Sequence, residues 1–191
     1  MRILVLMLFS FLLHPHDASS QAKTDDREIA EAVSALPQAL RDGATVRAIR
    51  QGRLVTIRVG TNGLICLGDN PAEERWHVAC YHESLDPFME RGRALRAQGV
   101  TERAAIDSIR MAEVEAGRLS MPSQPTALYS LFANDGVFDP ASGEAAGARG
   151  LYVIYMPYAS EATTGISAVP SQERPWLMFP GKPWAHVMIS R

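Results

Sequence analysis

The sequence predicts an α+β fold: a mainly antiparallel sheet with an N-terminal helix and a central helix pair on one side. Two observations carry this reading. β-Branched and apolar runs bounded by Gly, Asn and Pro fill residues 44–67 and the last third of the chain, whereas two helix-period patterns stand together at 86–117. Strands and helices thus come in separate runs, not in the alternation of a parallel βαβ plan. At 191 residues the chain has the length of one domain, and such a chain buries enough surface to fold without a metal or a cross-link.

The first element is an export segment. Met1-Arg2 precedes an apolar run, Ile3 to Leu13, in which only Ser10 is polar. A bilayer-spanning helix needs roughly 20 apolar residues, so this run has the length of a signal-peptide core. Pro15 interrupts it. Ala18 and Ser20 place small side chains for a cut before Gln21, and Ser20 and Ala22 do so for a cut before Lys23. The expected division is a signal peptide over 1–20 and a single exported α+β domain over 21–191. The expected location is secreted or periplasmic, with no stable membrane span after cleavage.

Asp25 to Ala35 reads as a helix, with Asp25 as cap, Glu28 three residues on, and Ile29, Val33 and Leu36 on one face; Pro37 ends it. Residues 44–50 and 53–59 form a hairpin about Gln51-Gly52, and Gly60-Thr61-Asn62-Gly63 makes a second turn. Leu64 to Leu67 is apolar on both faces, as a central strand is. Val78 to Tyr81 is a strand or a loop edge. Asp86 is placed to cap a helix that starts at Pro87 and closes at Gly99, and Thr101 to cap one that closes at Gly117. Residues 127–132, 151–156 and 185–189 are the remaining strands, with a turn-rich stretch over 160–183.

Nineteen Lys and Arg stand against 21 Asp and Glu, a net charge of −2. Loss of residues 1–20 removes Arg2 and Asp17 and leaves that balance unchanged. A near-neutral chain offers no general attraction to nucleic acid. The expected partner is a protein or small-molecule ligand outside the cytoplasm, with no nucleic acid, and no motif calls for a cofactor.

The chain's two cysteines, Cys66 and Cys80, allow one intramolecular pair, and an oxidising compartment favours its closure. The closed loop of about 15 residues stabilises by around 3 kcal/mol in the chain-entropy model. Two buried free thiols are the plain alternative. The sharper one is a metal site from Cys66, His77, Cys80 and His82, although their C-x10-H-x2-C-x-H spacing matches no known zinc finger. No G-x-S-x-G or S-x-x-K motif marks a nucleophile. Asn134-Asp135-Gly136 with Asp139 and Glu144 offers oxygens for calcium but departs from the EF-hand loop and reads as a turn. Arg91, Arg93, Arg96, Arg103 and Arg110, interleaved with acids, read as a solvated helix face. Trp176 and Trp184, with His186 beside them, are the candidate ligand-binding residues, since an exposed aromatic cluster marks a binding surface.

Gly60-Thr61-Asn62-Gly63-Leu64-Ile65-Cys66 resembles a G-T-N-G-x-x-C segment of uncharacterised exported bacterial proteins. In these an Asp-Asn-Pro and a second cysteine follow, as Asp69-Asn70-Pro71 and Cys80 do here. The closing run His186-Val187-Met188-Ile189, residues 127–131 and residues 152–158 fit the same likeness. The resemblance implies export and an ordered turn before Cys66, and no catalytic role. The resulting expectation is a non-catalytic ligand- or partner-binding domain. The alternative is an exported metal-dependent or hydrolytic enzyme using the Cys66–His82 region.

Overall fold

Helix α1 (His16–Val33) opens the described chain, and its last residues with the turn after it deliver Ala32, Val33, Ala35 and Leu36 into the core. The structure, a computed structural model, describes residues 16–134 and 138–191. The apolar run over 3–13, and with it most of the expected signal peptide, lies outside the described residues, as do Asp135 and Gly136 of the candidate calcium loop. The helix starts before the expected position, so Asp25 is an interior residue and not its cap. Asp25 and Glu28 instead take the two ends of the Arg50 guanidinium, at 2.6 and 2.7 Å. Pro37 stops the helix, and one turn, α2 (Gln38–Arg41), follows.

Strands β1 (Thr45–Arg50) and β2 (Arg53–Arg58) form the expected hairpin. Gln51 and Gly52 hold φ of 51° and 76°, the pair of positive values that a type I′ two-residue turn requires. The chain then doubles back along Gly43: the amides of Thr61 and Asn62 both donate to its carbonyl, and the Asn62 side chain donates to Leu40 O at 2.8 Å. A Cβ at Gly60 would strike the backbone of residues 43–45. This tight return lays β3 (Leu64–Leu67) beside β1 in parallel.

Every other pairing is antiparallel. Strands β4 (Trp76–His82), β5 (Thr126–Ala133), β8 (Arg149–Tyr155), β9 (Trp176–Met178) and β10 (His186–Ser190) complete an eight-stranded sheet in the order β2-β1-β3-β4-β5-β8-β10-β9. Two-residue strands β6 (Phe138–Asp139) and β7 (Glu144–Ala145) form a small separate hairpin. A capped single turn, α5 (Glu161–Thr164), lies before β9. Among the described residues no helix is long and apolar enough to cross a membrane.

The helices divide between the two faces. Alternate side chains of the central strands (Val46, Leu64, Cys66, Val78, Cys80) point to α1, and the other set (Ile65, Tyr81, Val153, Tyr155) points to the helix pair. That pair is α3 (Asp86–Ala97), entered through a 3-10 turn at Glu83–Leu85, and α4 (Arg103–Glu115). Neither Asp86 nor Thr101 caps as expected: the residues before the helices are Leu85 and Glu102, and neither makes a side-chain cap. The five helix-pair arginines are not one solvated face either. Arg110 is buried against Phe88, with its guanidinium carbon 4.0 Å from the ring centroid and a bond to Phe88 O, and Gly92 leaves the space it fills.

Candidate functional site

The helix pair covers only part of its face of the sheet. Between α3 and the β1–β2 hairpin the sheet lies open, as a groove of about 1050 Å³. Its floor is Ile49, Leu67 and Ala79, the far wall is Leu54 and Thr56 of β2, and the loop after β3 closes one end. The groove exists because the side chains aimed into it are short. Ala79 stands where a larger strand residue would fill the space, and α3 presents Ala94 and Ala97.

Its charge is unlike that of the whole chain. Arg47, Arg53, Arg93 and Arg96 line it, against Glu73 and Glu90. Asp86 holds two of these arginines in place. Arg47 Nη1 donates to both carboxylate oxygens at 3.0 Å, Arg93 Nη2 donates at 3.3 Å, and the Tyr81 hydroxyl donates at 2.8 Å. Burial pushes the Tyr81 hydroxyl up to about 12, against the pull of Arg93, so it remains a donor at neutral pH. One carboxylate thus serves two guanidiniums. Among the described residues Arg53 and Arg96 take part in no ion pair.

His77 lines the same groove and shares a hydrogen bond of 2.9 Å with Ser130 Oγ. Its ring reaches solvent, yet the packing around it lowers its pKa, with Glu73 and Asp69 opposing the shift. The ring is therefore neutral at pH 7 and adds no charge.

The residues singled out from the sequence fall elsewhere. Cys66 and Cys80 face each other across β3 and β4 and are joined as a disulfide. This corrects their candidacy as metal ligands, because neither sulfur is a thiolate. His77 and His82 lie five residues apart on β4, and an odd spacing on a strand sends them to opposite faces. Among the described residues no group of three or more His, Cys, Asp or Glu side chains comes together as a metal site would need. The aromatic patch is corrected too. Trp184 is 4% exposed, packed between Phe88 and Phe179, and Trp176 is half-buried on the edge strand β9. His186 is buried against Tyr155 and Phe179.

Sequence reasoning therefore missed the groove. One signal was present: Arg47 interrupts an apolar strand between Val46 and Ala48, so that a charge stands on the face opposite the core side chains. No protein-family model matches the chain, and no curated protein and no solved structure matches it.

Proposed function

We propose that the chain is an exported, non-catalytic binding domain whose working surface is the groove between α3 and the β1–β2 hairpin, and that it takes an anionic ligand there. The carrying observation is the imbalance of charge: four arginines line a concavity with two glutamates, in a chain whose net charge is −2. A guanidinium matches a carboxylate or phosphate in its donor geometry, and a concave setting focuses the field of several cations on one ligand. Asp86 supports the reading by fixing Arg47 and Arg93 beforehand, which reduces the ordering cost of binding. The buried disulfide fits an oxidising compartment and so supports the export part of the reading.

The test is a calorimetric titration of the purified protein with citrate, a small tricarboxylate, at low salt. The expected result is saturable binding that weakens by about tenfold in Arg96→Glu and in Arg53→Glu, or roughly 1.4 kcal/mol each. Raising the ionic strength from about 0.05 to 0.5 M is expected to weaken it further, because screening shortens the reach of the arginines. Binding that ignores both substitutions would reject the groove.

A further inference from the structure

The far wall of the groove is β2, and β2 is the free edge of the sheet. The two features meet in one place, and we infer that the groove and the β2 edge together receive an extended acidic peptide, added to the sheet as a further antiparallel strand. This rests on the anionic-ligand reading above and names the ligand class.

The backbone argument starts at the hairpin turn. In a two-residue type I′ hairpin the residues flanking the turn bond to each other, and bonded and non-bonded pairs then alternate along the strands. The flanking pair is Arg50 and Arg53, followed by Ile49 with Leu54, Ala48 with Val55, and Arg47 with Thr56. Leu54 and Thr56 are thus the non-bonded members, and their N–H and C=O groups point away from β1, out of the sheet edge. Their side chains line the groove. Outward amides and groove-facing side chains belong to the same two residues.

An antiparallel strand laid on this edge bonds to Leu54 and Thr56 through its own alternate residues. Those residues share the face of Leu54 and Thr56, so their side chains stand on the groove side. Acidic residues at every second position would therefore face Arg47, Arg93 and Arg96, while their amides and carbonyls hold the edge. Charge complementarity selects this occupant over a second copy of the chain. Pairing of β2 with a second copy through the same outward groups would set Leu54 opposite the second copy's Thr56 and bring two arginine-lined grooves side by side on one face, and like charges so juxtaposed oppose association. The opposite edge of the sheet offers no comparable template: β9 has three residues, with Pro175 before it and Pro180 soon after it.

The experiment uses three capped peptides, each six residues long like β2 and alternating Glu and Val. One is unmodified, one carries N-methyl groups on the Glu amides, and one carries them on the Val amides. Binding to the full protein is read by fluorescence anisotropy, with citrate titrated in parallel. The unmodified and Val-methylated peptides are expected to bind alike, and the Glu-methylated peptide at least about tenfold more weakly, since only the Glu amides face β2. Thr56→Pro removes an outward N–H without breaking the pairing to β1; it is expected to weaken the unmodified peptide by a similar factor and to narrow its advantage over the Glu-methylated one. Equal binding of all three peptides would overturn strand addition and leave the groove reading intact. Failure of both citrate and peptide to bind would overturn the groove reading itself. A protein that sediments as a dimer and becomes monomeric in Thr56→Pro would overturn the peptide in favour of a second copy.

Discussion

His186 carries its chemistry in a place where charge is costly. The ring is 7% exposed, 4.8 Å between centroids from Tyr155 and 5.8 Å from Phe179. Its Nδ1 lies 2.8 Å from the Trp184 carbonyl, which only accepts, so Nδ1 carries the proton of the neutral ring. Desolvation lowers its pKa; the Trp184 carbonyl opposes that shift and the Arg103 guanidinium adds to it. The neighbouring Tyr155 hydroxyl, raised to about 12 by its own burial, remains neutral and offers no counter-charge. A histidine whose folded pKa is depressed binds fewer protons folded than unfolded. Stability is thus fully present above the unfolded value and falls as pH drops from about 6.5 toward the folded pKa. His77 shifts in the same direction. The expected outcome is a lower urea midpoint at pH 5.5 than at pH 7.5, by an amount on the order of 1 kcal/mol. His186→Asn should flatten that slope. An identical slope in wild type and variant would assign the loss to His77 instead. Glu113 titrates outside that window: its pKa is held down by its bond to Arg91, and its contribution is lost only at lower pH, below about 4.5.

At the scale of elements, the disulfide ties two strands that already pair. Cys66 and Cys80 are register partners in β3 and β4, and both are fully buried between the sheet and α1. A bridge within an existing ladder adds little native structure and acts mainly on the unfolded chain, by closing a loop of 14 residues' separation. Cys66→Ser is therefore expected to preserve the fold and cost about 2–4 kcal/mol in denaturant titration. In the wild-type protein no thiol should react without reductant, even after unfolding. Two reactive thiols in unfolded, unreduced protein would refute the bridge. The ladder also shows which elements were legible in the sequence. The β1–β2 hairpin, β3, α3 and α4 were, because Gly, Pro and apolar periodicity announce them locally. The parallel β1–β3 pair was not, since it depends on how Gly60–Gly63 folds back on Gly43, a contact between distant residues. Asp86 misled for a related reason: its sequence position suits a helix cap, but Arg47, about 40 residues earlier, claims the carboxylate in three dimensions. Strand β9 lay hidden among turn-forming residues and exists because β10 offers it an edge.

The whole molecule asks where the working chain begins. The expectation of an export segment rests on a local pattern, a charged start, a short apolar run and small residues. The groove was not legible in the sequence, because its arginines are drawn from β1, β2 and α3, and only the assembled sheet brings them together. These two readings meet at α1. Among the side chains described on that helix, from Thr24 on, the first that is fully buried is Ala32, and Ile29 and Ala30 are partly buried. The ties from Asp25 and Glu28 to Arg50, and from Glu31 to the Trp76 indole nitrogen, all begin at or after residue 25. A cut before Gln21 or before Lys23 leaves every one of these contacts in place. It shortens α1 only at its N-terminal end, and a helix held by packing rather than by its own propensity tolerates that loss. The mature protein is therefore expected to start at Gln21 or Lys23 and to retain the groove and the disulfide. Intact-mass measurement of the protein recovered from outside the cytoplasm checks this. The mass should match one of those two starts, less the two hydrogens removed by the bridge. Soluble protein that still carries Met1 to Leu13 would overturn the assignment, and with it the proposed export on which the location of the proposed anionic ligand depends.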